Sequence, residues 1–181
     1  SDDSIALSAE DDGDVLKVKF SSQAGDTDSS FKLKLVNIDV EPLEISESEH
    51  ESVVTLPSGR FQQICRDLAQ IGDVVTISVS KKGVTFAVSG PLGDGEIVIR
   101  PSSNVEGKDE VIVESIEDVS LTFALKFLND FTKSTQLSNQ VVLRMSSEAP
   151  LIVEYNISDD SFIRFYLAPK IADDDEEEED E

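Results

Sequence analysis

The sequence predicts an α+β fold in which two helices pack on antiparallel sheets. Many short segments alternate apolar and polar residues, as half-buried strands do, and two longer segments have the 3.6-residue period of an amphipathic helix. The order β-α-β-β-β also occurs twice, at a spacing of roughly sixty residues, and an internal repeat of this kind indicates two structurally equivalent halves.

The first part of the chain predicts three strands and no helix. The strand-like segments are residues 4–9, 15–20 and 31–38. In the third, Phe31, Leu33 and Leu35 fall on one face, and two lysines fall on the other. Three strands without a covering helix do not readily close a core by themselves.

An acidic, proline-containing segment without a regular period follows at residues 39–51 and indicates a linker. Leu43 and Ile45 are isolated apolar residues within it. They either pack locally on the domain beneath or form a docking site on an exposed strap, and the sequence leaves both interpretations open.

The repeat extends from residue 52 to residue 168. Its first copy predicts strand 52–56, helix 60–72 and strands 74–80, 84–89 and 96–100. Its second copy predicts strand 110–115, helix 121–133 and strands 140–146, 151–157 and 162–168. The apolar stripes of the two helices are Phe61, Ile64, Cys65, Leu68 and Ile71, and Leu121, Ala124, Leu125, Leu128 and Phe131. Because Cys65 lies on such a stripe, we expect a small core residue rather than a reactive thiol.

The composition limits the possible functions. The 181 residues carry a formal net charge of -23, which disfavours contact with phosphates unless the basic residues are gathered on one face. One cysteine allows no internal disulfide, as is usual in a reducing compartment such as the cytosol or nucleus. No apolar stretch approaches the roughly 18 residues of a membrane-spanning helix, so we expect no membrane partner.

The strands and loops carry nearly all of the acidic residues, whereas the predicted helices carry only Asp67 and Asp130. The basic residues on these helices are Arg60, Arg66, Lys126 and Lys133. Lys126 and Lys133 are two helical turns apart and would point the same way, so neighbouring helices would form a weakly basic surface on an acidic body. Such a surface can contact the phosphates of a duplex but not read its bases. Ordinary solvated helix faces are the alternative.

The chain lacks the patterns that carry catalysis. It has no glycine-rich phosphate loop, no Cys/His metal spacing and no nucleophile elbow. The only histidine, His50, is expected to be a surface residue rather than a base. We therefore expect no enzyme activity, no catalytic residues, no metal site and no cofactor.

Several stretches resemble the proliferating cell nuclear antigen family of eukaryotic DNA sliding clamps. These are PSGRFQQICRDLAQIGD, LTFALKFLNDFTKSTQLS, APLIVEYNI and FYLAPKI, and the resemblance is collinear from about Ser4 to Ile171. It implies a sliding-clamp fold and a C-terminal portion of the clamp polypeptide. The implied parts are the terminal strands of a truncated first domain (1–38), the connecting strap (39–51), a complete second domain (52–171) and a disordered acidic tail (172–181).

The resemblance also implies a function. The family's clamp is a ring of three identical chains around duplex DNA, which tethers polymerases and repair enzymes to their template in the nucleus and works with a clamp loader. Helices line its hole, and the basic residues that match hole-facing positions here are Arg66, Lys126 and Lys133. Gln63 stands where relatives can carry a base, which puts that one contact in doubt.

Partners of the family plug a short motif into a pocket between the strap and the C-terminal segment. The matching residues here are Leu43, Ile45, Pro150, Tyr166, Ala168 and Pro169. Glu44 stands where relatives often have a small residue. Nine carboxylates, 173–181, follow the apolar C-terminal segment, and they either favour basic partner flanks or only keep the chain soluble.

Ring closure in the family pairs edge strands of neighbouring chains. The matching edges are residues 29–35 and 93–99, which would bring Phe31 near Asp94 and Gly95. With an incomplete first domain, we expect this chain alone to assemble poorly. Lys81 matches a position modified by ubiquitin-like proteins, although the neighbouring Lys82 leaves the assignment open by one residue and a plain surface lysine remains the alternative.

Two other classes fit parts of the sequence. An acidic, β-rich histone chaperone, or another nuclear protein-binding module, would share the acidic tail but would not need two amphipathic helices with segregated bases. A metal-dependent hydrolase would depend on carboxylates such as Asp173–Asp175. A variant clamp, such as a checkpoint ring subunit, agrees less well with the directness of the FYLAPKI match.

Overall fold

A computed structural model describes residues 3–11, 13–36, 50–102, 107 and 109–170. The chain divides into two compact units, an N-terminal unit, Ser1–Glu47, and a C-terminal unit, Ser48–Glu181. Most of the predicted strap and the whole acidic tail lie outside the described residues. The proposed domain boundaries therefore stay predictions.

The N-terminal unit contains one antiparallel sheet of three strands in the order β1-β2-β3. The strands are β1 (Ser4–Ser8), β2 (Val15–Ser21) and β3 (Asp28–Lys34). Their register sets Ile5 opposite Phe20, and Val18 opposite both Leu7 and Phe31. Because side chains alternate across a strand, one face of this sheet is apolar and the other carries lysines.

The C-terminal unit contains two antiparallel sheets and two helices. Its elements are β4 (Ser52–Pro57), α1 (Ser58–Leu68), β5 (Val74–Ser80), β6 (Gly83–Gly90), β7 (Gly93–Ile99), β8 (Ile112–Ser115), β9 (Val119–Ala124), α2 (Leu125–Phe131), a 3-10 helix (Thr132–Leu137), β10 (Gln140–Met145), β11 (Leu151–Ser158) and β12 (Ser161–Leu167). The strand orders are β12-β11-β10-β4-β8 and β7-β6-β5-β9. The predicted α+β fold with antiparallel sheets is confirmed.

The repeat relates β4-α1-β5-β6-β7 to β9-α2-β10-β11-β12. In each copy the first strand joins the sheet of the other copy, because β4 pairs with β10 and β9 pairs with β5. The two halves are thus tied together by main-chain hydrogen bonds as well as by the core. The second copy begins at Val119, and not at residue 110 as the sequence pattern suggested, since β8 is an additional strand.

The predicted start of the second helix at Leu121 was wrong. Residues Val119–Ala124 form β9, and the α-helix begins at Leu125. Leu121 pairs with Ile77 of β5 in this sheet, so tertiary strand pairing overrides the apolar spacing that had suggested a longer helix. The first helix begins at Ser58, two residues earlier than predicted, and ends at Leu68, four residues earlier than predicted.

The core of the C-terminal unit joins residues from both helices and both sheets. Its largest fully buried side chains include Phe61 of α1, Phe86 of β6, Phe123 of β9, Leu128 of α2 and Tyr155 of β11. The predicted core role of Cys65 is confirmed, since Cys65 is 1% exposed. Its burial raises the pKa of the thiol to about 12, so the thiol stays protonated at neutral pH.

Candidate functional site

The two helices lie side by side and antiparallel in the C-terminal unit. Asn129 Nδ2 donates to the carbonyl oxygen of Cys65 at 3.3 Å, and Gln62 Nε2 donates to the carbonyl oxygen of Thr132 at 3.0 Å. Cys65, the later of the two α1 residues, thus pairs with Asn129, the earlier residue of the second helical segment, so the two segments run antiparallel. The remaining polar face of both segments is exposed.

The predicted DNA-facing residues lie along the seam between these helical segments. Lys126 precedes Asn129 by three residues in α2 and shares its side of the helix, whereas Lys133 is the second residue of the 3-10 helix and reaches back to Asp130 of α2. Arg66 follows Gln62 by four residues and shares the side of α1 that reaches the second segment. All three basic residues are exposed.

Two exposed carboxylates, Asp67 of α1 and Asp130 of α2, reduce the positive charge of this surface. Lys133 Nζ lies 2.8 Å from Asp130 Oδ1, and both side chains are more than half exposed. The hydrogen bond and charge of Lys133 hold the pKa of Asp130 below its ordinary value, and Lys126 contributes to the same shift. The surface is therefore weakly rather than strongly basic, which suits loose contact with a phosphate backbone.

The predicted docking residues at the C-terminal segment follow the alternation of β12. Phe165 and Leu167 pack against the core, and Phe165 stacks on Phe131 with ring centroids 4.5 Å apart. Tyr166 therefore points away from the core and is 40% exposed. Beyond β12, Lys170 N donates to the carbonyl oxygen of Thr122 at 2.8 Å, which fixes the chain after Tyr166 against β9.

The other predicted pocket residues are only partly described. Pro150, just before β11, and Ala168 are exposed, and Pro169 is half-buried. Leu43 and Ile45 lie outside the described residues. The C-terminal residues are thus accessible at least in part, and the pocket as a whole stays a prediction.

An ionic network borders Tyr166, and sequence reasoning missed it. Glu154 of β11 is 3% exposed and accepts hydrogen bonds from Arg144 Nη2 of β10 at 3.3 Å and from Arg164 Nε of β12. Burial raises the pKa of Glu154, but the hydrogen bond from Arg164 and the charges of both arginines outweigh burial and hold the pKa below its ordinary value. Glu154 is therefore ionised at neutral pH.

His50 lies close enough to this network to sense its charges. Burial first, and then the charges of Arg144 and Arg164, lower the pKa of His50, so its imidazole is neutral at neutral pH. Its Nδ1 is buried without a hydrogen-bond partner among the described residues. His50 is half-buried, so it is less exposed than a typical surface residue.

The predicted subunit-contact residues lie on edge strands of separate units. Phe31 of β3 is 54% exposed and meets Phe20 edge to face at 5.9 Å in the N-terminal unit. In the C-terminal unit, Asp94 and Gly95 of the edge strand β7 line a surface groove of about 530 Å³. Lys81 is exposed in the tight turn between β5 and β6.

Within the part of the chain that the structure describes, no three His, Cys, Asp or Glu residues converge as a metal site. Neither described helix is long and apolar enough to cross a membrane.

The family model of the C-terminal domain of proliferating cell nuclear antigen matches residues 44–170. This match covers well over half of the 181 residues, including the helix seam and the described docking residues. Members of this sliding-clamp family are non-enzymatic processivity factors of DNA replication, and their general partners are DNA and polymerases. The chain therefore belongs to the proliferating cell nuclear antigen family of sliding clamps and contains the family's C-terminal domain.

Proposed function

We propose that the chain serves in a DNA sliding clamp that encircles duplex DNA as a trimeric ring and tethers polymerases and repair enzymes in the nucleus. Arg66, Lys126 and Lys133 contact phosphates without reading sequence. The observation that carries this proposal is their shared exposure on the paired helical segments, α1 and α2 with its 3-10 extension, of an otherwise acidic chain. A weak, salt-screened contact lets a ring slide, whereas a tight site would hold it in place.

A salt titration tests the DNA contact. Fluorescence anisotropy of a labelled duplex is measured from low to moderate salt with wild type and with the triple variant Arg66→Gln/Lys126→Gln/Lys133→Gln. Each lost phosphate contact reduces the magnitude of the negative slope of log affinity against log salt concentration by about 1. We therefore expect the triple variant to have a slope whose magnitude is smaller by about 2 to 3 than that of wild type.

The control removes the same charge from another surface. Lys17, Lys19 and Lys32 lie on the lysine face of the N-terminal sheet, and their replacement by Gln removes three positive charges as well. We expect the control to keep the wild-type slope. An unchanged slope in the helix-seam variant, or an equal decrease in both variants, would contradict a specific contact at the seam.

We further propose that Leu43, Ile45, Pro150, Tyr166, Ala168 and Pro169 form the pocket for a short clamp-binding motif of polymerases and repair enzymes. Support comes from the exposed Tyr166 at the end of a strand whose alternate residues are anchored in the core. A half-exposed ring on a rigid strand is a suitable hot spot, because it offers apolar area without first having to become ordered.

Calorimetric titration with a peptide that carries the motif tests this pocket. Truncation of a hot-spot residue costs about 2 kcal/mol or more, so Tyr166→Ala should weaken binding at least about thirtyfold. Phe127→Ala is the matched control, because Phe127 of α2 is an aromatic residue of similar exposure, 47%. Equal affinity of wild type and Tyr166→Ala for the peptide would reject the pocket.

The remaining parts of the proposal concern assembly and modification. Phe31 on one chain and Asp94 and Gly95 on the next would meet at the ring contact of the full-length clamp, which a clamp loader opens around DNA. Exposed edge strands support this, since they offer unpaired main-chain groups. Lys81 would accept a ubiquitin-like modifier, which its exposed turn would allow.

A further inference from the structure

The ionic network beside Tyr166 has more donors than its carboxylate can use. Oε1 of Glu154 accepts hydrogen bonds from Arg144 and from Asn156 Nδ2, the latter at 3.2 Å, and Oε2 accepts one from Arg164. Both carboxylate oxygens are thus occupied. Each guanidinium has five N–H donors and uses one nitrogen on Glu154, and Arg164 also interacts with the side chain of Tyr166, so each arginine keeps some donors for a further acceptor.

The network carries one net positive charge, because two arginines face one ionised carboxylate. The side chains of Arg144 and Arg164 are 30% and 33% exposed, whereas that of Glu154 is 4% exposed, so the arginines are the solvent-accessible part of the network. In a chain with a net charge of -23, this is a local site of the opposite sign. An anion can bind there without displacing Glu154.

The geometry of Arg164 is fixed on two sides. Glu154 binds its Nε, and the ring of Phe162 lies against the guanidinium at 4.2 Å from carbon to centroid. A guanidinium held in this way loses little further freedom when it binds an anion, and its planar fork matches the two oxygens of a carboxylate.

Both arginines lie on the same face of the sheet as Tyr166 and within about 10 Å of it. Arg164 and Tyr166 are two residues apart on β12, which corresponds to about 7 Å. Ile152 of β11 is opposite Tyr166 on one side and Arg144 on the other, so Arg144 is two strand spacings, or about 10 Å, from Tyr166. If an extended partner peptide contacts Tyr166 with one residue, the peptide residues two positions before and after it therefore lie within reach of the arginines.

We propose that Arg144 and Arg164 form a specificity site for an acidic side chain of the docked partner peptide, about two residues from the residue that contacts Tyr166. The carboxylate accepts charge-assisted hydrogen bonds from the outer nitrogens of the arginines. This inference rests on the proposed docking function at Tyr166. It adds a selection among partners, because a peptide with a basic residue at this position is repelled.

The test compares matched peptides that differ at this one position. Motif peptides with Glu, Gln or Lys two residues before or after the anchor are titrated into wild type at low salt. In the favoured register we expect the Glu peptide to bind about fivefold to tenfold more tightly than the Gln peptide, and the Lys peptide to bind more weakly than the Gln peptide.

Two variants distinguish a local site from the general field of the chain. Arg144→Gln should reduce the Glu-to-Gln preference to near unity while the Gln peptide keeps its affinity, since Arg164 and Glu154 remain paired. Lys82→Gln removes one positive charge from the exposed β5–β6 turn and should leave the preference unchanged. Circular dichroism melting confirms that both variants are folded.

The outcomes separate this inference from the docking proposal on which it rests. If the Gln peptide binds and Tyr166→Ala abolishes binding, but Glu gives no preference in either register, the specificity site is rejected and the pocket stands. If Lys82→Gln removes the preference as fully as Arg144→Gln does, the effect is long-range and the site is likewise rejected. If none of the peptides binds to wild type, both proposals fail.

Discussion

The two units of the chain use the same alternating pattern with opposite results. In the C-terminal unit many inward residues of two sheets and two helices are fully buried, as Phe123, Leu143 and Tyr155 are. In the N-terminal unit, none of the described residues between 3 and 36 is buried, and Phe31 and Leu33 remain more than half exposed. Alternation thus specifies which face of a strand is apolar, but a second layer must be present before that face forms a core.

The largest expected difference between the units concerns matched phenylalanines. Phe123→Ala should lower the free energy of unfolding by about 3 to 5 kcal/mol, because it removes a ring with no exposed surface and leaves a cavity. Phe31→Ala should lower it by about 1 kcal/mol or less, since that ring is already 54% exposed and mainly contacts Phe20.

Urea unfolding followed by far-UV circular dichroism measures both changes at dilute protein concentration. Similar losses for the two variants would mean that the N-terminal sheet is covered as well as the C-terminal core, and the comparison would fail.

A second pair of variants compares two glycines with positive φ. Gly83, at φ 144°, begins β6, and an added Cβ would overlap with the carbonyl oxygen of Ile99. Gly25, at φ 70°, lies in the turn between β2 and β3, and an added Cβ would meet nothing within 4 Å. Gly83→Ala should cost about 2 to 4 kcal/mol, and Gly25→Ala about 1 kcal/mol from the backbone alone.

The midpoints of thermal unfolding give the order of these two costs. The reverse order, with Gly25→Ala the more damaging change, would show that the turn of the N-terminal sheet is packed.

A third pair of variants compares two ionised carboxylates. Glu154→Gln leaves two arginines facing an uncharged group at a site that is 3% exposed, so we expect a loss of about 1 to 2 kcal/mol at pH 7, limited by the partial exposure of the arginines. Asp28→Asn breaks the 3.0 Å ion pair with Lys19, where both side chains are more than half exposed, and no change should be resolved.

The pH dependence of stability sharpens this third comparison. Because the folded-state pKa of Glu154 is depressed, its stabilising contribution is complete above the unfolded pKa of about 4.3 and is lost as pH falls through the lower folded-state pKa. The difference between wild type and Glu154→Gln should therefore shrink in acid. A difference that stays constant down to pH 3 would show that the charge of Glu154 does not contribute.

Local periodicity predicted most of the strands but not the junction that precedes the second helix. The predicted strands 140–146, 151–157 and 162–168 match β10, β11 and β12 to within a residue at each end, because strict alternation marks a strand with one buried face. The segment from Leu121 to Phe131 has apolar residues at helical spacing throughout, and only its pairing with β5 makes the first part a strand.

The exposed basic residues of the candidate site were predictable from the sequence, but the ionic cluster beside Tyr166 was not. Positions away from the apolar stripe of a helix can be read from the sequence, so the exposure of Arg66, Lys126 and Lys133 was predictable, whereas their contact with DNA stays a prediction. The cluster of Arg144, Glu154 and Arg164 depends on the register of two successive hairpins, β10–β11 and β11–β12, which sets Glu154 opposite Arg164. Sequence spacing alone does not determine that register, and the cluster was missed.

Amide hydrogen exchange under native conditions tests most directly whether stability resides in the C-terminal unit. The central strands β2, β5 and β10 are suitable, because each is paired on both sides. We expect protection factors in β2 at least about a hundredfold below those in β5 and β10, since a sheet without buried residues opens at little cost. Equal protection in β2 would contradict the account, because it would require a covered and cooperatively folded N-terminal sheet.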